Sequence, residues 1–439
     1  RKLKKRRLCR KKKEEREKVR KWKRNISAVL AGVMAVSMSG AVPYAAPKSV
    51  GGGTEASEAL RLWYDKPASE GQTILSGGSF GTTAEENQWQ QFVLPIGNSY
   101  IGATIYGEVG TEHLTFNEKT LWEGGPSEDR PDYNGGNDTS VDASGKTKAD
   151  YFREIQQLFL EGKDTEASAL CDKLLGTGGQ DMDALGAYQA WGDIYFDFGL
   201  DRAKVENYMR DLNLDTSVAS VNFDYDGVNY NREYFISYPD NVMAIKFTAE
   251  GEGLLDIGIT FPTAKYDSAL GSEPRKEDTT VVDAEAGTLT TNGEVTDNQM
   301  KMCSQLKVVN TGGELSADNE NGKLIVSGAD SVIVYVAAQT DYANDYPTYR
   351  TGETTEEVAA QVADRINKAV EKGYDAIRAD HVADYQNIFQ RMSLDLGQSG
   401  TDKTTDLLLA GYKDGSNTEA ENRLLEVMLF QYGRYLTIA

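Results

Sequence analysis

The stretch at 116–126, FNEKTLWEGGP, gathers Asn117, Glu118 and Trp122 ahead of a Gly-Gly-Pro turn. Carboxamide and carboxylate side chains bind hydroxyl groups, and an indole stacks on the apolar face of a sugar ring. That combination suits saccharide recognition, so Asn117, Glu118 and Trp122 are the substrate-binding candidates. The same residues also suit a structural role. Asn, Glu and Thr120 bond backbone groups where a strand meets a loop, Trp122 covers a core end, and Gly124-Gly125 let the chain turn.

Other chemistry is thinly supplied. The chain has two histidines and three cysteines. His113 follows Glu112, a possible general acid/base pair, but a lone His at a strand edge reads first as structural. His381 lies one helical step from Tyr385, a packing arrangement. Gly97 and Gly102 have the first spacing of a phosphate loop, yet Ala103 stands where the lysine belongs, so tight turns between strands account for them better. The run DRPDYNGGND at 129–138 offers oxygen ligands for calcium but misses the EF-hand pattern and reads first as a solvated loop. No Cys/His spacing resembles a zinc site, and no metal or cofactor is expected. Catalysis by paired carboxylates needs an acid and a base at a defined separation. With so many acidic residues no pair stands out, and no catalytic residue is assigned.

The elements that must position these residues are mostly strands. From 61 to about 341 the chain alternates apolar and polar residues, as in SVASVNFDY (217–225) and VNYNREYFIS (228–237), with Asp226-Gly227 between them as a hairpin turn. Strands at short spacing with Gly, Asn and Asp turns predict a large antiparallel β-sandwich. The aromatics of YQAWGDIYFDF (188–198) read as core. One helical insert at 149–175 divides at Gly162. After Tyr346-Pro347 the texture becomes helical. Thr354 and Glu357 form a capping box, with Val358, Val362, Ile366 and Val370 following at four-residue steps. Gly373 separates this helix from the next. A loop rich in Thr, Asp and Gly follows 397. Ser416 and Glu419 open a last helix, whose stripe of Leu424, Leu425, Met428, Leu429, Tyr435 and Leu436 is wide enough for burial on several sides.

Charge narrows the partners. The first 24 residues hold 16 of the 47 Lys+Arg and 3 of the 68 Asp+Glu; the remainder, with 31 against 65, carries −34. Such a surface repels nucleic acid and anionic membranes. The basic head, the uncharged run ISAVLAGVMAVSM at 26–38 and the small residues after it read as a secretory signal peptide, with an uncleaved anchor as the alternative. The expected location is extracellular, secreted or cell-surface, with no membrane contact beyond that peptide. Cys171 and Cys303 are read as two buried thiols.

In chain order, LWYDKPA (62–68), LPIGNSYIGATIYG (94–107), FNEKTLWEGGP, YQAWGDIYFDF, the long run 208–248 and FQYGRYLTIA resemble glycoside hydrolase family 95. That family comprises mainly exo-acting α-L-fucosidases and some α-L-galactosidases. The resemblance implies a mainly β fold with α: residues 1–47 a signal peptide, 48–60 a flexible linker, 61–345 the N-terminal β-sandwich domain, 346–397 a helical linker, and 398–439 the truncated start of an (α/α)6 catalytic barrel. It also implies an inverting mechanism, with a Glu acid and an Asp base in the barrel beyond the GRYL helix, so no catalytic position is carried over. The expected partner is a fucosylated oligosaccharide or glycan. Two other readings stand beside this one: a non-catalytic carbohydrate-binding domain and a cell-surface scaffold domain.

Overall fold

In a computed structural model, residues 60–71, 84–127, 141–175, 186, 188–263 and 276–439 are described. The signal peptide, nearly all of the linker at 48–60 and the acidic loop at 129–138 lie outside them. Within Ser57–Ala439, one compact unit, the strands run in chain order as β1 (Arg61–Tyr64), β2 (Leu94–Gly97), β3 (Ile101–Ile105), β4 (Thr111–Glu118), β5 (Gly192–Asp197), β6 (Val205–Asn213), β7 (Val218–Tyr225) and β8 (Val228–Ser237). They continue as β9 (Val242–Ala249), β10 (Leu255–Thr260), β11 (Lys276–Asp283), β12 (Thr288–Val295), β13 (Lys301–Thr311), β14 (Glu314–Asp318), β15 (Lys323–Ala329) and β16 (Ser331–Thr340).

Two antiparallel sheets form a sandwich. The larger has the order β1-β6-β7-β8-β9-β16-β13-β12-β11, the smaller β14-β15-β10-β5-β4-β3-β2. The Asp226-Gly227 hairpin forms as expected, both residues at positive φ, as a two-residue turn with the twist of its strands requires. Between the sheets, Phe196 of β5 and Tyr234 of β8 both pack edge-on against Phe247 of β9.

The larger sheet is also covered on its outer face. Phe235, Ala244, Cys303 and Tyr335 point away from the sandwich core and pack with Val358, Val362, Ile366 and Ala369. These belong to the helix Thr355–Lys372. Its capping box is made as the sequence predicts, Thr354 N–H donating to Glu357 and Glu357 N–H to the Thr354 hydroxyl. Ala369 replaces Val370 at the fourth buried position, because a 3.6-residue turn drifts off a strict four-residue step. Gly373, at φ +82°, ends this helix and leads into Tyr374–Phe389. The insert forms helices Lys148–Leu160 and Asp164–Leu175.

Four details depart from the expectation. Ala84–Phe92 is a further helix within the β region, and Thr405–Asp414 is helical within the segment read as a loop. The last helix, Glu419–Ile438, is capped by Thr418 with Glu421 rather than by Ser416 with Glu419. The residues just before Thr418 are engaged in closing the preceding helix: Gly415 is left-handed there, and Asn417 donates to the Leu408 carbonyl. The wide apolar stripe is buried on one face, through Val427, Met428 and Tyr435, while Leu429 and Leu436 are exposed. Tyr435 fastens the helix to the sandwich by donating to the Pro95 carbonyl at 2.7 Å. Among the described residues no helix is long and apolar enough to cross a membrane.

Candidate functional site

β4 delivers the candidate residues to one end of the smaller sheet, and alternation along it sorts them. Asn117 spends its carbonyl oxygen on the Trp191 N–H, at 2.7 Å. Glu118 is buried and accepts from the Thr120 N–H at 2.9 Å and the Thr120 hydroxyl at 2.6 Å. Burial pushes its carboxyl above the usual range, against the pull of the Thr120 bonds. These two side chains hold the corner together.

Trp122 is placed differently. Its ring is 46% exposed, so it does not cover the core. It is nonetheless fixed. Its Nε1–H donates to the Lys119 carbonyl at 2.9 Å, and its ring meets Tyr188 at 5.2 Å between centroids. Trp122 and Tyr188 also form a backbone bridge. Behind them Asn298, just after β12, donates its amide to the carbonyls of Trp122 and Gly124, at 2.9 and 2.8 Å. The Gly124 N–H donates to Asp297 at 2.6 Å, and Gly124 and Gly125 turn the chain at φ +76° and +71°.

Two cavities adjoin this corner. One, of about 480 Å³, is lined by Trp122, Glu123, Gly125, Asn298, Tyr342 and Arg350 among others. The second, of about 300 Å³, lies between the β2–β3 hairpin and the end of the last helix, with Asn117, Tyr188, Tyr435 and Leu436 on its walls. Glu118 lines neither. Among the described lining residues, Glu123 is the single carboxylate of the first cavity and the second has none. Hydrolysis of a glycosidic bond needs two carboxyl groups, and the described lining of these cavities does not supply that pair.

Tyr188, Asn298, Tyr342 and Arg350 were not singled out as site residues from the sequence. Tyr188 sits among aromatics read as core, and Trp191 is indeed fully buried, but Tyr188 is 38% exposed. Its phenol is pushed up to about 12 by burial and by Glu118. Nothing in the local sequence marks Asn298, whose partners are distant in the chain.

The remaining candidates resolve into structure. Glu112 and His113 alternate to opposite faces of β4. Glu112 is buried with Arg232 and Tyr234, while His113 pairs with Asp193 at 2.9 Å and stacks between Tyr106 and Tyr195. They therefore form no acid/base pair. His381 is buried, bonded to the Ser217 carbonyl at 3.0 Å and stacked on Phe235. Gly97 and Gly102 flank the β2–β3 turn. Cys303 is a buried thiol pushed up to about 12 by burial, while Cys171 is only half-buried; both are free. Among the described residues no cluster of three or more His, Cys, Asp or Glu is grouped to hold a metal ion.

Comparison with known proteins adds a sequence context to this geometry. Residues 62–345 match the family profile described as glycosyl hydrolase family 65, N-terminal domain, and residues 373–439 that of the glycosyl hydrolase family 95 catalytic domain. Alpha-L-fucosidase 2 of Arabidopsis thaliana is 30% identical over 364 residues, covering 79% of this chain and 40% of that protein. Probable alpha-fucosidase A of Aspergillus niger is 27% identical over 418 residues, covering 94% of this chain and 45% of that protein. Probable alpha-fucosidase A of Aspergillus oryzae is 25% identical over 352 residues, 78% of this chain and 44% of that protein. The chain thus spans less than half the length of these relatives.

Proposed function

This chain belongs to glycoside hydrolase family 95, with an N-terminal domain of the family 65 type, and we propose that it is the N-terminal portion of a secreted or cell-surface, exo-acting, inverting α-L-fucosidase. The substrate class is a glycan with terminal fucose. The observation that carries the reading is the order of the two matched segments in this chain, a sandwich domain followed by the start of a family 95 catalytic domain, together with its similarity to proteins named as fucosidases. The matches cover only 40–45% of these relatives, and among the described residues neither cavity at the Trp122 corner has a carboxylate pair. Both facts support a general acid and a general base that lie outside these 439 residues. Inversion would use carboxyls far enough apart, about 6.5–9.5 Å, to admit a water. Trp122 would then border the sugar-facing side of the sandwich, with Asn117 and Glu118 holding its loop in shape.

The test compares this chain with the longer gene product on 2′-fucosyllactose, following the released sugar by NMR. The longer protein is expected to release β-L-fucose first, and the 439-residue chain none. Release of α-L-fucose first would refute inversion. Free fucose from this chain alone would refute the placement of the catalytic groups. Faster turnover of an α-L-galactoside would move the assignment to α-L-galactosidase. The amino terminus of the exported protein tests removal of the first 47 residues.

A further inference from the structure

We propose that the cavity of about 480 Å³ beside Trp122 is an accessory binding site for a neutral saccharide, one that recognises a sugar without hydrolysing it. The proposal rests on the reading above only for the class of molecule, a glycan.

Four observations carry it. First, Trp122 is exposed yet tied down by its neighbours. Its indole N–H and its carbonyl are bonded to Lys119 and Asn298 and its ring packs at a tilt against Tyr188, while 46% of the residue stays exposed. A preorganised aromatic face binds the C–H face of a pyranose with little loss of side-chain freedom. Second, Tyr342, 39% exposed, lines the same cavity and adds an aromatic wall with a hydroxyl. Third, the rim at Gly125 is low. A Cβ there would meet nothing within 4 Å, so a ligand can approach the backbone. Fourth, the volume lies within the range of about 300–1,000 Å³ typical of small-ligand sites.

Electrostatics select the neutral class. The Arg350 guanidinium is already engaged, donating to the Tyr349 carbonyl at 3.0 Å and to the Asn298 carbonyl at 3.4 Å, with Asp341 at 3.6 Å. The Lys119 ammonium sits 3.8 Å from the centre of the Tyr100 ring. Glu123 adds negative charge at the wall, and the surface as a whole is acidic. Both cations of the described lining, Lys119 and Arg350, are thus held by other partners, and the acidic surface around the cavity disfavours an anionic sugar. Among the described lining residues Glu123 is the single carboxylate, which separates this site from a hydrolytic one.

The test titrates the full 439-residue chain with 2′-fucosyllactose and, separately, with 3′-sialyllactose, by calorimetry. The neutral trisaccharide is expected to bind and the sialylated one to bind at least about tenfold more weakly. Trp122→Ala should weaken the neutral sugar at least about tenfold, and Trp122→Phe by about threefold or less. Tyr342→Ala, which leaves the Trp122 loop intact, should weaken it as well and guards against a folding artefact. No binding by the wild type, unchanged binding in both alanine variants, or equal binding of the sialylated sugar overturns the proposal. Fucoside turnover by the longer gene product is a separate readout. Binding here without turnover there would refute the fucosidase reading alone, and turnover without binding would refute this site alone.

Discussion

Arg232 and Glu112 meet inside the sandwich with both side chains shut off from solvent, Nη1 lying 3.4 Å from Oε2. The guanidinium also donates to the Glu108 and Val109 carbonyls and sits 3.8 Å from the centre of the Phe198 ring. Glu112 accepts from Tyr234 and from the N–H groups of Gly107, Glu108 and His113. Removing one partner strands the other in an apolar core. Arg232→Ala should cost about 3–5 kcal/mol, measured by urea unfolding, and Glu112→Gln distinctly less because the amide keeps part of the network.

Glu118 predicts a pH dependence. Burial raises its folded pKa above the ordinary 4.5, so the folded state favours the protonated form. The stability this contributes is complete below pH 4.5 and is lost as pH rises through the folded pKa. Glu118→Gln keeps an acceptor for Thr120 and does not titrate. Its stability relative to wild type should therefore increase as pH is raised from 4 to 8. A flat difference across that range would count against a buried, protonation-favouring site.

Lys276 should act in the alkaline range. Its ammonium is buried at the start of β11 and donates to the carbonyls of Ala190 and Trp191, at 2.5 and 2.9 Å, so that burial lowers its pKa to about 8. In the unfolded chain the amine keeps its proton to the ordinary 10.5. Between these values the unfolded state binds more protons, and stability rises with pH. Melting temperatures from pH 8 to 10 should show this contribution in wild type and lose it in Lys276→Met.

The two tryptophans of the corner should separate cleanly. Trp191 is fully buried, edge-on to Phe116 at 6.2 Å, and Trp191→Ala should cost about 3–5 kcal/mol. Trp122→Ala, at a half-exposed position, should cost about 1 kcal/mol or less. Denaturant midpoints of the two variants decide it, and equal losses would mean that Trp122 is a core residue after all.

Thr418 caps the last helix and Ser416 does not. Thr418→Ala should destabilise by about 1 kcal/mol and Ser416→Ala by a few tenths at most. Thermal unfolding of the pair provides the comparison.

Features decided within a few residues were legible in the sequence. Asp226-Gly227 supplies two residues tolerant of positive φ between alternating runs, so the hairpin follows locally. Thr354 and Glu357 satisfy each other's backbone donors, and Gly162 and Gly373 stop helices where the spacing says they do. Asn117 and Glu118 bond the backbone at the end of β4, as their side-chain chemistry suggests.

Where two local solutions were equal, the fold chose. Ser416-x-x-Glu419 and Thr418-x-x-Glu421 are the same capping pattern two residues apart. Asn417 decides between them, because its side chain lies against Gly411 and bonds the Leu408 carbonyl.

By itself, then, the sequence determined the period of each element, its turns and the family to which the chain belongs, because those depend on neighbours along the backbone. Tertiary structure alone decided which aromatic faces solvent. Trp122 and Trp191 are chemically identical. One is enclosed between sheets, and the other is held at the surface by Tyr188 and by Asn298, 176 residues away. Burial depends on what second layer closes over a residue, and that layer arrives from remote parts of the chain that no local spacing encodes.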